Sequence, residues 1–265
     1  MPSTTTVSSE GSAVQRSTGR PVVEVVPRWC HVFTLDGPVI ITIDGPAGTG
    51  KSSVASQLAR RLGLDFLDTG AMYRAAALIS LEQGIEPLNL TELLEAVDRA
   101  DIHFEWPGDR DQLPVITSRG RAIDRRIRNP GVDARVRVVS GIPVLRAYLV
   151  ARQRRIAVDH PRLVSEGRDQ GSVVFPNASV KFYLTAGAAV RAKRRAAQFR
   201  ASGLEADEAA ILEEINARDA SDQQRQVGPL VCPSDAVVVD SSAMEFGRVI
   251  DEMERLVRER AERPH

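Results

Sequence analysis

Residues 45–52 read GPAGTGKS, directly after the apolar run VIITID at 39–44. Gly45, Gly50, Lys51 and Ser52 occupy the fixed positions of GxxxxGK(S/T), and SSVASQLARRL continues behind them with helical spacing. Strand, glycine loop and helix in that order form the setting in which this motif cradles phosphate. Glycines are needed because backbone N–H groups must converge on an anion at close range, in conformations that a Cβ obstructs. The helix adds its positive N-terminal end, Lys51 a mobile point charge for β- and γ-phosphates, and Ser52 a hydroxyl for Mg²⁺.

Three further stretches carry charge where a second ligand would sit. LDFLDTGAMYR at 64–74 places Asp68, Thr69, Tyr73 and Arg74 just beyond an apolar strand, and the carboxyl ends of neighbouring parallel strands open onto one crevice, so that Thr69 and Arg74 could face a second ligand. EGRDQG at 166–171 does the same after another strand: Arg168 offers a planar fork for phosphate, and Asp169 can accept from an exocyclic amine. ARDASDQQR at 217–225 spaces Arg218, Asp222 and Arg225 by four and three, which aligns them on one helix face. Arg191, Lys193, Arg194 and Arg195 form another basic cluster. Phosphoryl transfer needs cations around the equatorial oxygens without holding them there permanently, and an arginine-bearing lid meets both needs. FRASGLEADEA at 199–209, with Gly203 as its hinge, is the candidate lid loop.

The elements that must position these residues are legible from periodicity. Strands are predicted at 39–43, 64–67, 162–165, 179–184 and 236–239, alternating with helical segments, which is the pattern of a parallel sheet flanked by helices. Val54, Leu58 and Leu62 mark one helix face, and Val144, Leu145, Tyr148 and Leu149 mark another. Phe246, Val249, Ile250, Met253, Leu256 and Val257 mark a third, on the final helix. Residues 102–123 break the alternation and predict a small antiparallel insert. Residues 1–36 are predicted to be disordered or loosely ordered, with VVEVV at 22–26 read as part of that extension rather than as an added edge strand. At 265 residues and 43% hydrophobic composition the chain can bury a substantial core, while 35 basic and 35 acidic side chains cancel and leave no global field for nucleic acid or membrane. Cys30 and Cys232 lie far apart in neither a disulfide nor a zinc pattern, and no leader or membrane-spanning run is evident, so a cytoplasmic protein is expected.

With these residues assembled, the chain resembles the bacterial cytidylate kinase family from about Val39 to about Leu256. The resemblance rests on ITIDGPAGTGKSSVA, LDTGAMYRAAA, PVLRAYLVARQR, EGRDQGSVVFPNASVKFYL, and RDASDQQR followed by PLV and AVVVDSS. It implies transfer of the γ-phosphoryl of ATP to CMP or dCMP with Mg²⁺, on an α/β P-loop fold of three layers with a five-stranded parallel sheet, an NMP-binding insert and a helical lid. It further implies a kinase over 37–265, with core segments 37–74, 132–190 and 226–265, the insert at about 75–131 and the lid at about 191–225. Gly45, Pro46, Ala47, Gly48, Thr49, Gly50, Lys51, Ser52 and Ser53 would bind ATP, with Ser52 on the metal. Thr69 would lie near the monophosphate, Tyr73, Arg74 and Arg168 would hold the sugar and phosphate, and Arg146 and Asp169 would read the cytosine edge. Arg218 and Asp222 would lie by the ribose and Arg225 between the phosphates, with Lys51, Arg168 and Arg225 the catalytic cations. A monomer without nucleic-acid or membrane partners is implied.

Two departures from the family pattern stand out. Arg137 occupies the position of a serine that contacts the base, unless that role falls to Ser140, and Gln170 replaces the methionine of GRDMG. Glu166 stands where an aspartate is common and would order the metal through water. The competing readings are another monophosphate kinase, of UMP or AMP; a P-loop nucleotide switch, for which no NKxD motif is present; and an RNA-binding module, against which neutral charge and few aromatics argue.

Overall fold

The computed structural model describes residues 23–24, 35–109 and 112–261. Its strands are β1 (Val23–Glu24), β2 (Val39–Asp44), β3 (Asp65–Asp68), β4 (Ile102–Glu105), β5 (Val115–Ser118), β6 (Arg121–Ala122), β7 (Arg162–Gly167), β8 (Val180–Thr185) and β9 (Val237–Asp240). Its helices are α1 (Lys51–Leu62), α2 (Thr69–Glu82), α3 (Leu90–Arg99), α4 (Pro130–Val139), α5 (Pro143–Asp159), α6 (Ala188–Ala201), α7 (Glu208–Gln223) and α8 (Phe246–Ala261).

The main sheet runs β1-β9-β8-β2-β7-β3, and the five strands from β9 to β3 are parallel, as the alternating pattern requires. Each lies within two residues of its predicted span. β2 pairs along its whole length with β7, from Val39↔Arg162 to Asp44↔Gly167, so the loops after these two strands emerge side by side. Successive residues of a strand face opposite layers, and the core divides accordingly. Ile41, Ile43, Phe66, Val164 and Phe182 pack under α1 and α8, while Leu67 and Leu163 pack under α2 and α5.

Several expectations change. Most of residues 1–36 lie outside the described residues, but within VVEVV the backbone of Val23–Glu24 pairs antiparallel with β9, Val23↔Val239 and Glu24↔Val238. That short stretch is an edge strand, contrary to the extension reading, because β9 presents an unpaired edge that a β-branched segment can satisfy. On α5, Val144 is exposed; the inward face is Leu145, Arg146, Leu149 and Gln153, so a polar pair occupies positions that periodicity assigns to apolar side chains. Phe246 is exposed too, while the other five residues of the stripe predicted on α8 are buried.

The insert forms as expected: β4, β5 and β6 make a three-stranded antiparallel sheet. Ser118 pairs with Arg121 across a two-residue turn in which Arg119 and Gly120 both have positive φ, 49° and 69°, the turn whose twist suits a hairpin. Trp106, just after β4, stacks on His160 with ring centroids 3.9 Å apart.

Candidate active site

The loop after β2 is built around close backbone approaches. A Cβ on Gly45 would lie 2.0 Å from the Leu184 carbonyl oxygen of β8, so only glycine lets the chain turn here. Gly48 and Gly50 take left-handed φ values of 79° and 85°, and α1 starts at Lys51 with no side chain capping its first N–H groups. Those groups line the cleft as an anion site. Lys51 Nζ donates to the Pro46 carbonyl at 2.7 Å and lies 3.5 Å from Thr49 Oγ1. Burial, then the positive charge of Arg168, pushes the Lys51 ammonium down to about 7. A cation in that condition gains from any anion that enters.

Beside it, Ser52 Oγ donates to Glu166 Oε1 at 2.8 Å. Burial and the neighbouring Glu166 carboxylate push the Asp68 carboxyl up to about 7. Glu166 and Asp68 are carboxylates whose mutual repulsion a divalent cation would relieve, and with the Ser52 hydroxyl they offer hard oxygen donors that fit Mg²⁺. Among the described residues no group of three His, Cys, Asp or Glu side chains forms a cage of its own. Mg²⁺ does not need one, since it takes few protein oxygens and completes its shell with water and phosphate.

The acceptor side is built on the loop after β7. Asp44, at the end of β2, accepts from the backbone N–H groups of Gln170 at 2.8 Å and Gly171 at 2.7 Å. Burial nonetheless pushes the Asp44 carboxyl up to about 6. The residue before the phosphate loop therefore fixes the loop that carries Arg168 and Asp169. Its signal in the sequence is an acid ending an otherwise apolar strand. Arg168 Nε donates to Asp222 Oδ2 at 2.8 Å, and Arg225 Nη2 lies 2.5 Å from Asp222 Oδ1 and 3.1 Å from Ser140 Oγ. Burial works to raise Asp222, but Arg168 and Arg225 outweigh it and hold the carboxyl below its usual range. Arg218 is half-buried, with no hydrogen bond or ion pair to the described residues. Burial and the Arg168 charge push its guanidinium down to about 10.

Arg146 and Asp169 form a buried ion pair, and Arg146 Nη1 also donates to the Ser140 carbonyl at 2.9 Å. The Arg146 guanidinium lies 5.3 Å from the Tyr73 ring centroid, and burial pushes the Tyr73 hydroxyl up to about 12. Arg74 Nη1 reaches Asp133 Oδ1 at 2.5 Å and the Ile127 carbonyl at 3.3 Å, while Thr69 Oγ1 donates to the Glu166 carbonyl at 2.7 Å. Behind the Arg146–Asp169 pair lies Gly228, φ 61°, where a Cβ would stand 2.2 Å from Arg146 Nη2 and 2.4 Å from Asp169 Oδ2.

These residues share one cleft of about 1150 Å³, lined by Ala47 to Ser53, Thr69, Tyr73, Arg74, Arg146, Arg168, Asp169, Arg218, Asp222 and Arg225. Gly45 and Pro46 do not line it; one packs on β8 and the other's carbonyl holds Lys51. Arg137 and Ser140 both line the cleft: Arg137 is exposed and pairs with Glu214 on α7, while the Ser140 carbonyl accepts from Arg146 and its hydroxyl from Arg225, so Ser140 is the hydroxyl beside the Arg146–Asp169 pair. Within the basic cluster, Arg191 is buried, donating to the Ala47 carbonyl at 2.9 Å and pairing with Asp219 at 2.7 Å, which braces the phosphate loop against α6 and α7. Gly203, φ 76°, caps α6, where its N–H and that of Leu204 bond the carbonyls of Arg200 and Phe199. Sequence reasoning gave no role to Asp44 or Gly228, placed Asp68 beside the crevice without one, and did not foresee the far end of the cleft, where Arg194 of the basic cluster, Gln198, Met244 and Phe246 line the wall.

The family model described as cytidylate kinase matches residues 41–259. A cytidylate kinase of Mycobacterium avium is 45% identical over 230 residues, covering 86% of this chain and 99% of that protein. One of Nocardia farcinica is 44% identical over 222 residues, covering 84% and 94%. Among solved structures, a gluconokinase from Sinorhizobium meliloti aligns with a TM-score of 0.41 and 17% identity, covering 85% of this chain and 94% of that one.

Proposed function

Because the chain belongs to the cytidylate kinase family, we propose that it transfers the γ-phosphoryl group of ATP to CMP or dCMP, giving ADP and the diphosphate. The observation that carries this reading is the convergence, in one cleft, of a phosphate loop with its lysine, a set of arginines, and a buried Arg146–Asp169 pair able to address a base edge.

The triphosphate of ATP lies along 47–53 under the first N–H groups of α1, and its purine extends towards Arg194, Met244 and Phe246. Phe246 stays exposed on α8 because it serves this wall rather than the core. Arg74 and Arg168 orient the acceptor phosphate, and Arg146 with Asp169 reads the cytosine ring. Lys51 and Arg225 flank the group in flight, where charge spreads over its equatorial oxygens. Ser52, with Glu166 and Asp68, would hold Mg²⁺, which would supply charge neutralisation on the phosphates when bound. No general base is required, since a phosphate monoester is largely a dianion at neutral pH, its second pKa being about 6. Asp222 holds Arg168 and Arg225 a fixed distance apart, so the two cations address neighbouring phosphates without drifting together. Closure of α6, α7 and the loop between them would exclude water, which otherwise competes as acceptor.

The finer architecture follows the same reading: a monomeric cytoplasmic kinase over 37–265, with an NMP-binding insert at about 75–131 and a lid at about 191–225. Among the described residues no helix is long and apolar enough to cross a membrane. The test is coupled ADP release from purified protein with ATP and Mg²⁺, offering CMP, dCMP, UMP, AMP and GMP separately. Turnover with CMP and dCMP far above the others is expected. Equal turnover with UMP would leave a general pyrimidine kinase, and no turnover with any acceptor would replace the kinase by a nucleotide switch.

A pH dependence follows from Lys51. Its ammonium titrates near 7 in the site and near 10.5 in an open chain, so above pH 7 the site holds a neutral amine. Bound phosphates restore the charge, and binding therefore takes up a proton once the pH exceeds about 7. Affinity for a non-hydrolysable ATP analogue is expected to fall as pH rises from about 7 to about 9, more steeply than for the Lys51→Met variant. Calorimetry in buffers of different ionisation enthalpy should register that proton uptake; identical heats in all buffers would show Lys51 already charged before binding.

A further inference from the structure

The loop after β7 grips α5 twice. Asp169 holds Arg146, and the next residue, Gln170, reaches Gln153, seven positions further along the same helix face. Gln153 and Gln170 are both fully buried. Gln170 is oriented at both ends of its amide: Oε1 accepts from Ser165 Oγ at 2.8 Å, while Nε2 donates to Gln153 Oε1 at 3.3 Å and to Thr69 Oγ1 at 3.4 Å. The fold makes room for it, since a Cβ on Gly167 would stand 2.8 Å from Gln170 Cγ and 2.9 Å from Thr69 Oγ1.

Two turns of α5 separate Arg146 from Gln153 by about 10 Å, a span that a tyrosine ring and hydroxyl largely fill. Tyr73 occupies it. Its ring lies under the Arg146 guanidinium, and the Gln153 amide acts electrostatically on its hydroxyl, although the two are not in hydrogen-bonding geometry. Tyr73 Oη, Gln153 Nε2 and Arg146 Nε are all buried without a partner, so this stretch of the pocket floor is polar yet incompletely satisfied. Apolar side chains would fill that volume at lower cost, and an oriented polar floor under a binding pocket points to a role beyond packing.

We propose that Gln153 and Gln170 form a buried amide clamp that positions Tyr73 and the Arg146–Asp169 pair against the pyrimidine, making Gln170 a specificity-determining position of this chain. The clamp rests on the reading of this pocket as the CMP site. It acts through Tyr73 and Arg146, so Gln153 and Gln170 are positioning residues. In this chain a methionine at 170, as in the related GRDMG pattern, would leave the Gln153 carbonyl and the Thr69 hydroxyl without that amide.

The decisive variant replaces both amides, Gln153→Met with Gln170→Met. Removing both members of a buried polar pair for apolar chains of similar length is close to neutral, but the buried Ser165 hydroxyl loses its acceptor with Gln170. A melting temperature lowered by a few degrees is therefore expected, while KM for CMP rises about tenfold, KM for ATP holds and kcat at saturating CMP stays within about twofold. The preference for CMP over UMP should fall in step. A merely structural clamp would move the melting temperature and leave KM alone. If the double variant does not fold, Gln153→Met alone keeps the Gln170 bonds to Ser165 and Thr69, and the same KM shift is expected. A folded variant with unchanged KM for CMP, beside a wild type that turns CMP over, overturns the clamp alone. A wild type that neither binds nor phosphorylates CMP overturns the functional reading and the clamp together.

Discussion

Replacing Lys51 with alanine is expected to lower kcat with ATP and CMP by about a thousandfold, because one preorganised cation aimed at developing phosphate charge commonly carries that much of the rate. The residual activity would come from the N–H groups of α1 and from Arg168 and Arg225, which the substitution leaves in place. Stability should move the other way. The Lys51 ammonium is buried, repelled by Arg168, and pushed down to about 7, so the folded protein bears a cost for holding it. Its one short contact, to the Pro46 carbonyl, is a lesser gain. A melting temperature equal to or above wild type, together with the loss of turnover in the coupled ADP assay, would mark Lys51 as a residue kept for chemistry. Near-normal kcat in the alanine variant would remove it from the mechanism.

Arg146→Ala should show the opposite balance. The Arg146–Asp169 pair is almost completely buried, so deleting one partner leaves an uncompensated carboxylate and should destabilise the fold by about 3–5 kcal/mol. The Ser140 carbonyl loses its donor at the same time. For binding, losing a charged hydrogen bond to the base should raise KM for CMP by roughly ten- to a hundredfold, with KM for ATP unaffected. Discrimination against UMP should relax. Asp169→Asn is the complementary variant: it keeps the shape against Gly228, leaves the Arg146 guanidinium as the uncompensated charge, and tests whether the carboxylate itself reads the base. Steady-state kinetics with CMP and UMP, read beside thermal melts, measures both; an unchanged KM for CMP in either variant would place the pair outside the pocket.

The phosphate loop and the strand pattern were legible because each depends on local rules: a glycine loop between strand and helix, or an apolar run of five residues, can be read without knowing what lies opposite. The helix face expected for Arg218, Asp222 and Arg225 holds only for the first two, since α7 ends at Gln223 and Arg225 turns back onto Asp222 from beyond it. Arg137 and Ser140 show where that reading runs out. Both lie near the end of α4, and only packing decides that the Ser140 hydroxyl meets Arg225 while Arg137, also on the cleft wall, pairs with Glu214 of α7. Arg191 is similar: a run of basic residues suggests solvent, yet one of them is buried against the Ala47 carbonyl and Asp219.

The sequence by itself therefore determined the α/β class, the anion-binding loop and the family, since these rest on short-range spacing and on residue types whose chemistry is fixed. Tertiary structure alone decided which polar groups meet. Asp44 on the Gln170 and Gly171 N–H groups, Gly228 behind the Arg146–Asp169 pair, and Gln153 against Gln170 join residues 17 to 127 positions apart. Such contacts leave no periodic trace in the chain, because they arise only when parallel strands bring the ends of distant segments to one edge of the sheet.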